Sequence, residues 1–221
     1  MDQYAPEGPT GLRKCQASNP TTEDMTNDTP TNAPAQKIVT TPLTRKTHRT
    51  AVAVVPPAAI WPPIQAIRRE HDRQFQRWMP HINLLYPFVP PEDFPAAVPL
   101  LLEACQHLPA FPVTLQDVRY FLHAARRATI WLAPEPCAAL VHLFHRLQEV
   151  CPHHNELGRF PHGFTPHLSI AQADSRTVLQ LLLPQLTRQW QPRQFDVTAL
   201  AVLQRDGEQP FRIAHWLPLE T

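Results

Sequence analysis

Two short segments of this chain repeat one pattern, and the repeat restricts the possible folds more than any other feature. Pro80-His81-Ile82-Asn83-Leu84 and Pro166-His167-Leu168-Ser169-Ile170 both read Pro-His-apolar-polar-apolar. Side chains alternate across a β-strand, so residues two apart share a face. His81 and Asn83 then fall on one face and Ile82 and Leu84 on the other. His167 and Ser169 share a face opposite Leu168 and Ile170. Buried polar groups are costly without partners. Two otherwise core-like strands that each give two inward positions to polar groups imply that the polar faces meet across a cleft.

The sequence around these segments predicts alternating strands and helices. Ala51–Val55 is a Val-rich strand ended by Pro56-Pro57. Pro62-Pro63, followed by Ile64, Ile67 and His71, marks a helix with proline in its first turn. His81–Phe88 is the second strand and Phe94–Leu108 the second helix. Val113–Phe121 and Thr129–Leu132 are strands around Ala124–Ala128. Cys137, Leu140, Val141, Phe144, Leu147 and Cys151 recur at helical spacing. Phe164–Ala171 is a strand, and Asp174 or Ser175 caps a helix carrying Val178, Leu181, Leu182 and Leu186. Phe195–Leu203 and Phe211–Leu217 form a hairpin around Asp206-Gly207. The order β-α-β-α-β-β-α-β-α-β-β has two similar halves, each with a histidine strand near its middle. The fold class is α+β, with two sheets and helices outside.

Residues 1–45 are rich in Thr, Asn and Pro and poor in large apolar residues, so a disordered tail is expected, with the domain spanning 46–221. A net charge of +1 gives no global electrostatic case for long nucleic acid, but it is compatible with a small anion or a single RNA end. Cys15, Cys105, Cys137 and Cys151 lack CxxC spacing and read as reduced thiols. No apolar run reaches a membrane span. Asp2, Glu7, Glu23, Asp24 and Asp28 argue against a mitochondrial presequence. The expectation is a soluble intracellular protein, cytoplasmic or nuclear, and a monomer.

A pair of histidines suits phosphodiester chemistry without a metal or other cofactor. Imidazole titrates near neutral pH, so a neutral ring can activate water or a ribose hydroxyl while a protonated ring donates to the leaving oxygen. Asn83 and Ser169 offer hydrogen bonds to the phosphate. The paired motifs resemble the two-histidine (2H) phosphoesterases, the 2′-5′ RNA ligase-like superfamily, whose signature is two His-x-Thr/Ser-x motifs on pseudo-symmetric lobes. His167-Leu168-Ser169-Ile170 matches it fully; His81-Ile82-Asn83-Leu84 has Asn83 where Thr or Ser is usual. The likeness covers roughly residues 48–218. It implies two lobes of antiparallel sheet flanked by helices, with a metal-independent active site between them. The reactions it implies are on RNA 3′ ends or small nucleotides: opening 2′,3′-cyclic phosphates, hydrolysing 2′-5′ linkages and, in some members, ligation. The stretch Arg77–Phe88 resembles a eukaryotic branch of the superfamily.

Either histidine alone reads as an ordinary core or surface residue; the matched pair favours catalysis. Phe164 suits base stacking or packing equally. Arg159 could contact phosphate, although a surface role is the simpler reading. His153, His154 and His162 read as exposed, without metal-ligand spacing. Arg126-Arg127 read as a solvated turn or, alternatively, a contact to an RNA backbone. Tyr86 and Phe88 read as core, and Trp61 and Trp78 as packing anchors. Two rival functions stay open. One is a catalytically impaired module that binds nucleotides or RNA ends; the other is a structural protein without converging histidines.

Overall fold

The computed structural model describes residues 43–123, 126–160 and 162–220. The expected tail lies outside them except for its last three residues, which belong to the folded domain. His154 Nε2 lies 2.9 Å from the Leu43 carbonyl oxygen, and Arg45 pairs with Asp93 at 2.7 Å. The domain therefore begins earlier than residue 46.

The elements run β1 (Thr50–Val54), α1 (Trp61–His71), β2 (Ile82–Leu85), α2 (Phe94–Cys105), β3 (Phe111–Leu122), β4 (Ala128–Glu135), α3 (Cys137–Val150), β5 (Leu168–Ala173), α4 (Arg176–Gln189), β6 (Arg193–Val197), β7 (Ala199–Gln204) and β8 (Arg212–Pro218). The local signals work as their chemistry requires. Pro62 and Pro63 occupy the first turn of α1, where their missing N–H groups cost no helical bond. Of the two candidate caps for α4, Ser175 is the one used; its hydroxyl accepts from the Val178 N–H at 3.2 Å.

The strands form two four-stranded antiparallel sheets, ordered β2-β1-β7-β8 and β5-β4-β3-β6. One expectation needs correction. Phe195–Leu203 is not one strand: β6 pairs with β3 in one sheet, while β7 pairs with β1 and β8 in the other. The chain changes sheets at Thr198. Buried side chains at Phe195 and Val197 resume at Leu200 and Val202, a break in the two-residue period that marks the crossing.

β2 and β5, which follow the two histidines, are the edge strands that lie against each other where the sheets meet. Both carry a β-bulge at the same place in the motif. The register slips around Leu84 in β2 and around Ile170 in β5, one residue beyond Asn83 and Ser169. As a result, two adjacent side chains turn inward in each strand, Leu84-Leu85 and Ile170-Ala171, all fully buried.

A continuous apolar core runs between the lobes, from Val52 and Val54 through Ile130 and Leu132 to Leu140, Phe144 and Leu147 of α3. On the other face of β1, the small residues Ala51 and Ala53, with Ala201, leave room for Trp78 and Phe211. The alternation of alanine and valine in β1 thus fits two cores of different depth. Cys105 and Cys151 are free, buried thiols, pushed up by burial to about 11 and about 12. No helix among the described residues is long and apolar enough to cross a membrane. Phe144, 2% exposed, fills the centre of the main core. Phe144→Ala is expected to cost about 3–5 kcal/mol, read as a lower urea midpoint with an unchanged slope; a loss under about 1 kcal/mol would show that this core is loosely packed.

Candidate active site

Each histidine sits one residue before its edge strand, and each ring is held in the same way. His81 Nδ1 lies 2.7 Å from the Met79 carbonyl, and His167 Nδ1 lies 2.8 Å from the Thr165 carbonyl. In both cases the acceptor is two residues back, across a proline whose φ is locked. The ring nitrogen facing a carbonyl must carry the hydrogen, so Nε2 is the free, basic atom of each neutral ring.

His81 opens on a cleft of about 570 Å³ whose walls include Asn83, Tyr86, Arg127, Thr129, Ser169 and Gln172. His167 is not one of the lining side chains. It stands close enough for its charge to bear on His81 and packs edge-on against Phe121, with ring centroids 5.0 Å apart. His167 Nε2 has no hydrogen-bond partner among the described residues. Burial pushes His81 down to about 4, helped by the charges of Arg68 and His167 and opposed by the Met79 carbonyl and Asp72. Burial also lowers His167, against its bond to the Thr165 carbonyl. Both rings are thus held towards the neutral form.

The His81 side of the cleft is built on two structures. The first is a ring stack: Trp78 lies parallel to His81 at 4.4 Å and to Phe211 at 3.5 Å. The second is a buried ion pair. Arg68 Nε donates to Asp72 Oδ2 at 2.7 Å, with both side chains almost fully buried. Arg68 also donates to the Trp78 carbonyl at 2.9 Å and to Gln65 at 2.9 Å. Asp72 Oδ1 accepts from the Gln74 N–H and, across the lobe boundary, from Gln172 Nε2 at 2.9 Å. Gln172 Oε1 in turn accepts from the Arg73 N–H at 2.8 Å. The turn that delivers Trp78 and the Met79 carbonyl is therefore tied to β5.

Asn83 Nδ2 donates to His81 Nε2 at 3.1 Å, and Asn83 Oδ1 is buried without a hydrogen-bond partner. Opposite, Arg126 has a left-handed backbone (φ 63°), and the following Arg127 lines the cleft. Arg68 and Arg73 are paired with Asp72 and Asp174. Arg127 has no ion-pair partner among the described residues, so the cleft wall carries uncompensated positive charge. Among the described residues no three His, Cys, Asp or Glu side chains converge as a metal site requires.

The family model of the 2′-5′ RNA ligase superfamily matches residues 56–209, well over half of the chain. The chain belongs to that superfamily. Its fold is similar to that of a crystallised phosphoesterase, at 20% identity over 79% of this chain and 100% of that one, with a TM-score of 0.55. It is similar to E. coli LigT complexed with 3′-AMP, at 19% identity over 79% of this chain and 99% of that one, TM-score 0.55. TT0787 of Thermus thermophilus is also similar, at 16% identity, 77% and 97% coverage, and TM-score 0.55. No curated protein matches.

The cleft draws together His81, Asn83 and Ser169 but not every candidate, and His167 does not line it. Phe164 stacks on Phe144 of the core at 4.3 Å, so packing takes it away from the cleft. Arg159 is exposed near Glu156 and does not line the cleft. Tyr86 packs edge-on against Trp78 of the second core and also lines the cleft, because the bulge at Leu84 reverses the alternation beyond it. His154 is 1% exposed, against Leu43 and Pro87, and not a surface histidine. The sequence reading assigned no site role to Arg68, Asp72, Gln172 or Trp78. Arg68 carried a signal: with Ile64 and Ile67 it occupies the apolar stripe of α1, where a charge needs a partner. Removing that partner is the sharpest structural test. Asp72→Ala leaves Arg68 buried and unpaired and is expected to cost about 3–5 kcal/mol in urea unfolding; a cost like that of a surface pair, under about 1 kcal/mol, would contradict this role.

Proposed function

We propose that this chain is a metal-independent phosphodiesterase acting on RNA ends or small nucleotides that carry 2′,3′-cyclic phosphates or 2′-5′ linkages. The observation that carries the proposal is the doubled half-site. Two bulged edge strands each follow a histidine clamped through Nδ1, with a polar side chain two residues on, beside an arginine that has no ion-pair partner among the described residues. A protein of similar fold, E. coli LigT, was crystallised with 3′-AMP, which supports a nucleotide as ligand.

The chemistry follows from the proton inventory. A neutral imidazole takes the proton of a water or ribose hydroxyl as it attacks phosphorus. The other ring, as imidazolium, gives its proton to the departing oxygen. Ser169 and Arg127 hydrogen-bond the non-bridging oxygens, where negative charge builds. Because burial disfavours the charged form of both rings, the free cleft holds neutral histidines. An anionic substrate favours an imidazolium beside it and so brings in the proton the reaction needs.

A second reading, a binding module without turnover, draws on one observation: Asn83 occupies the Nε2 lone pair of His81. Hydrolysis of a 2′,3′-cyclic nucleotide and of a 2′-5′-linked oligoadenylate in the presence of EDTA separates the two. Turnover is expected, and His81→Ala and His167→Ala are each expected to lower kcat by about 10²–10⁴-fold without lowering the melting temperature. Full turnover by both variants contradicts the assignment of the histidines. Binding without turnover by the wild-type protein favours the module.

A further inference from the structure

Thr129 belongs to neither half-site, yet it lines the cleft from β4. Trp131, two residues on, leaves β4 on the same face and packs against the His167 ring. The register fixes what surrounds them. Trp131 pairs with Ser169 of β5, and Thr129 pairs with Gln172 of β5 and with Phe121 of β3. Thr129 is therefore a diagonal neighbour of Ser169, about 7–8 Å away. That span is close to one backbone step of a nucleic acid, from one phosphate to the next.

His123 stands behind the Thr129 hydroxyl. Its Nε2 lies 2.9 Å from Thr129 Oγ1, and its backbone N–H donates to the Arg127 carbonyl at 2.8 Å, which closes the turn between β3 and β4. His123 is also near enough to His167 for its charge to lower that ring. When Nε2 of His123 carries its hydrogen, it donates to Oγ1 and leaves the Thr129 O–H free to donate into the cleft. Arg127 lines the same cleft and has no ion-pair partner among the described residues, while Asp72, the lining carboxylate, is held by Arg68. A hydroxyl polarised by an imidazole, beside an uncompensated guanidinium, suits an oxyanion.

We propose that Thr129, oriented by His123 and flanked by Arg127, forms a second phosphate subsite, one backbone step from the phosphate held by the histidines. The cleft then takes two consecutive phosphates of an RNA end, and a cyclic mononucleotide leaves the second subsite empty. The proposal rests on the phosphodiester reading of the cleft and names its substrate class. Arg127 has five N–H donors, enough to serve both phosphates. His123 is a positioning residue, which acts on the ligand through the Thr129 hydroxyl.

Adenosine 3′,5′-bisphosphate is a suitable probe, because its two phosphates flank one sugar as consecutive phosphates do in RNA. Adenosine 3′-monophosphate is the single-phosphate reference. Calorimetry on the full chain gives the ratio of the two affinities, and the ratio cancels changes confined to the first phosphate site. The wild-type protein is expected to bind the bisphosphate about tenfold more tightly. Thr129→Val keeps the shape and the net charge, so a loss of the ratio reports the hydroxyl and not general attraction of a more highly charged ligand. It is expected to remove most of the advantage, whereas Thr129→Ser, which restores the hydroxyl, retains it. His123→Ala is expected to lower the ratio by about threefold or more. A ratio that both Thr129→Val and His123→Ala leave unchanged overturns the subsite and leaves the phosphodiester reading standing. So does equal affinity of the wild-type protein for the two nucleotides. If neither nucleotide binds the wild-type protein, the nucleotide reading of the cleft fails and the subsite fails with it.

Discussion

The site depends on the ion pair between Arg68 and Asp72. Both side chains are out of water, so each charge is stable only because the other is there. The pair directs its remaining hydrogen bonds to the parts that shape the cleft: the Trp78 carbonyl, the Gln74 N–H and, across the boundary, Gln172 of β5. Trp78 is one end of this arrangement and the stacking partner of His81. An apolar pair of equal volume would pack at less cost in desolvation, but it would not fix the direction of the turn or tie one lobe to the other.

The two lobes solve one problem in the same way. An edge strand must offer two polar side chains to a cleft and still bury its other face. The bulges at Leu84 and Ile170 achieve this, since they let two neighbouring apolar side chains turn inward just past the polar residue. The proline before each histidine and the carbonyl before that proline orient the ring. Burial then keeps both rings neutral, and Arg127 supplies charge from the opposite wall. The half-sites differ at one position. Ser169 has a hydroxyl whose one oxygen both donates and accepts, whereas Asn83 is an amide with separate donor and acceptor ends.

Much of this was legible in the sequence because the physics is local. The paired Pro-His segments, the helical stripes and the serine cap of α4 follow from period and side-chain chemistry, and the order of elements follows from them. What escaped depends on partners distant in the chain. A bulge is a property of two strands, so the place of Tyr86 could not be read from alternation along one. The crossing at Thr198 left only a skipped beat between Val197 and Leu200. His154 looked like a loop histidine because the carbonyls around it, from Leu43 and Pro87, are far away in sequence. Phe164 had two equal readings until its stacking on Phe144 decided between them.

The histidines are assigned to one phosphate, one on each side of it, and a structure with that group in place tests this most directly. The measurement is a crystal structure of the protein with adenosine 3′-monophosphate in the cleft. Phosphate oxygens are expected within about 2.6–3.2 Å of Nε2 of both His81 and His167, with Ser169 as a further donor. A phosphate held by one histidine alone, or seated away from both, would contradict the two-histidine mechanism.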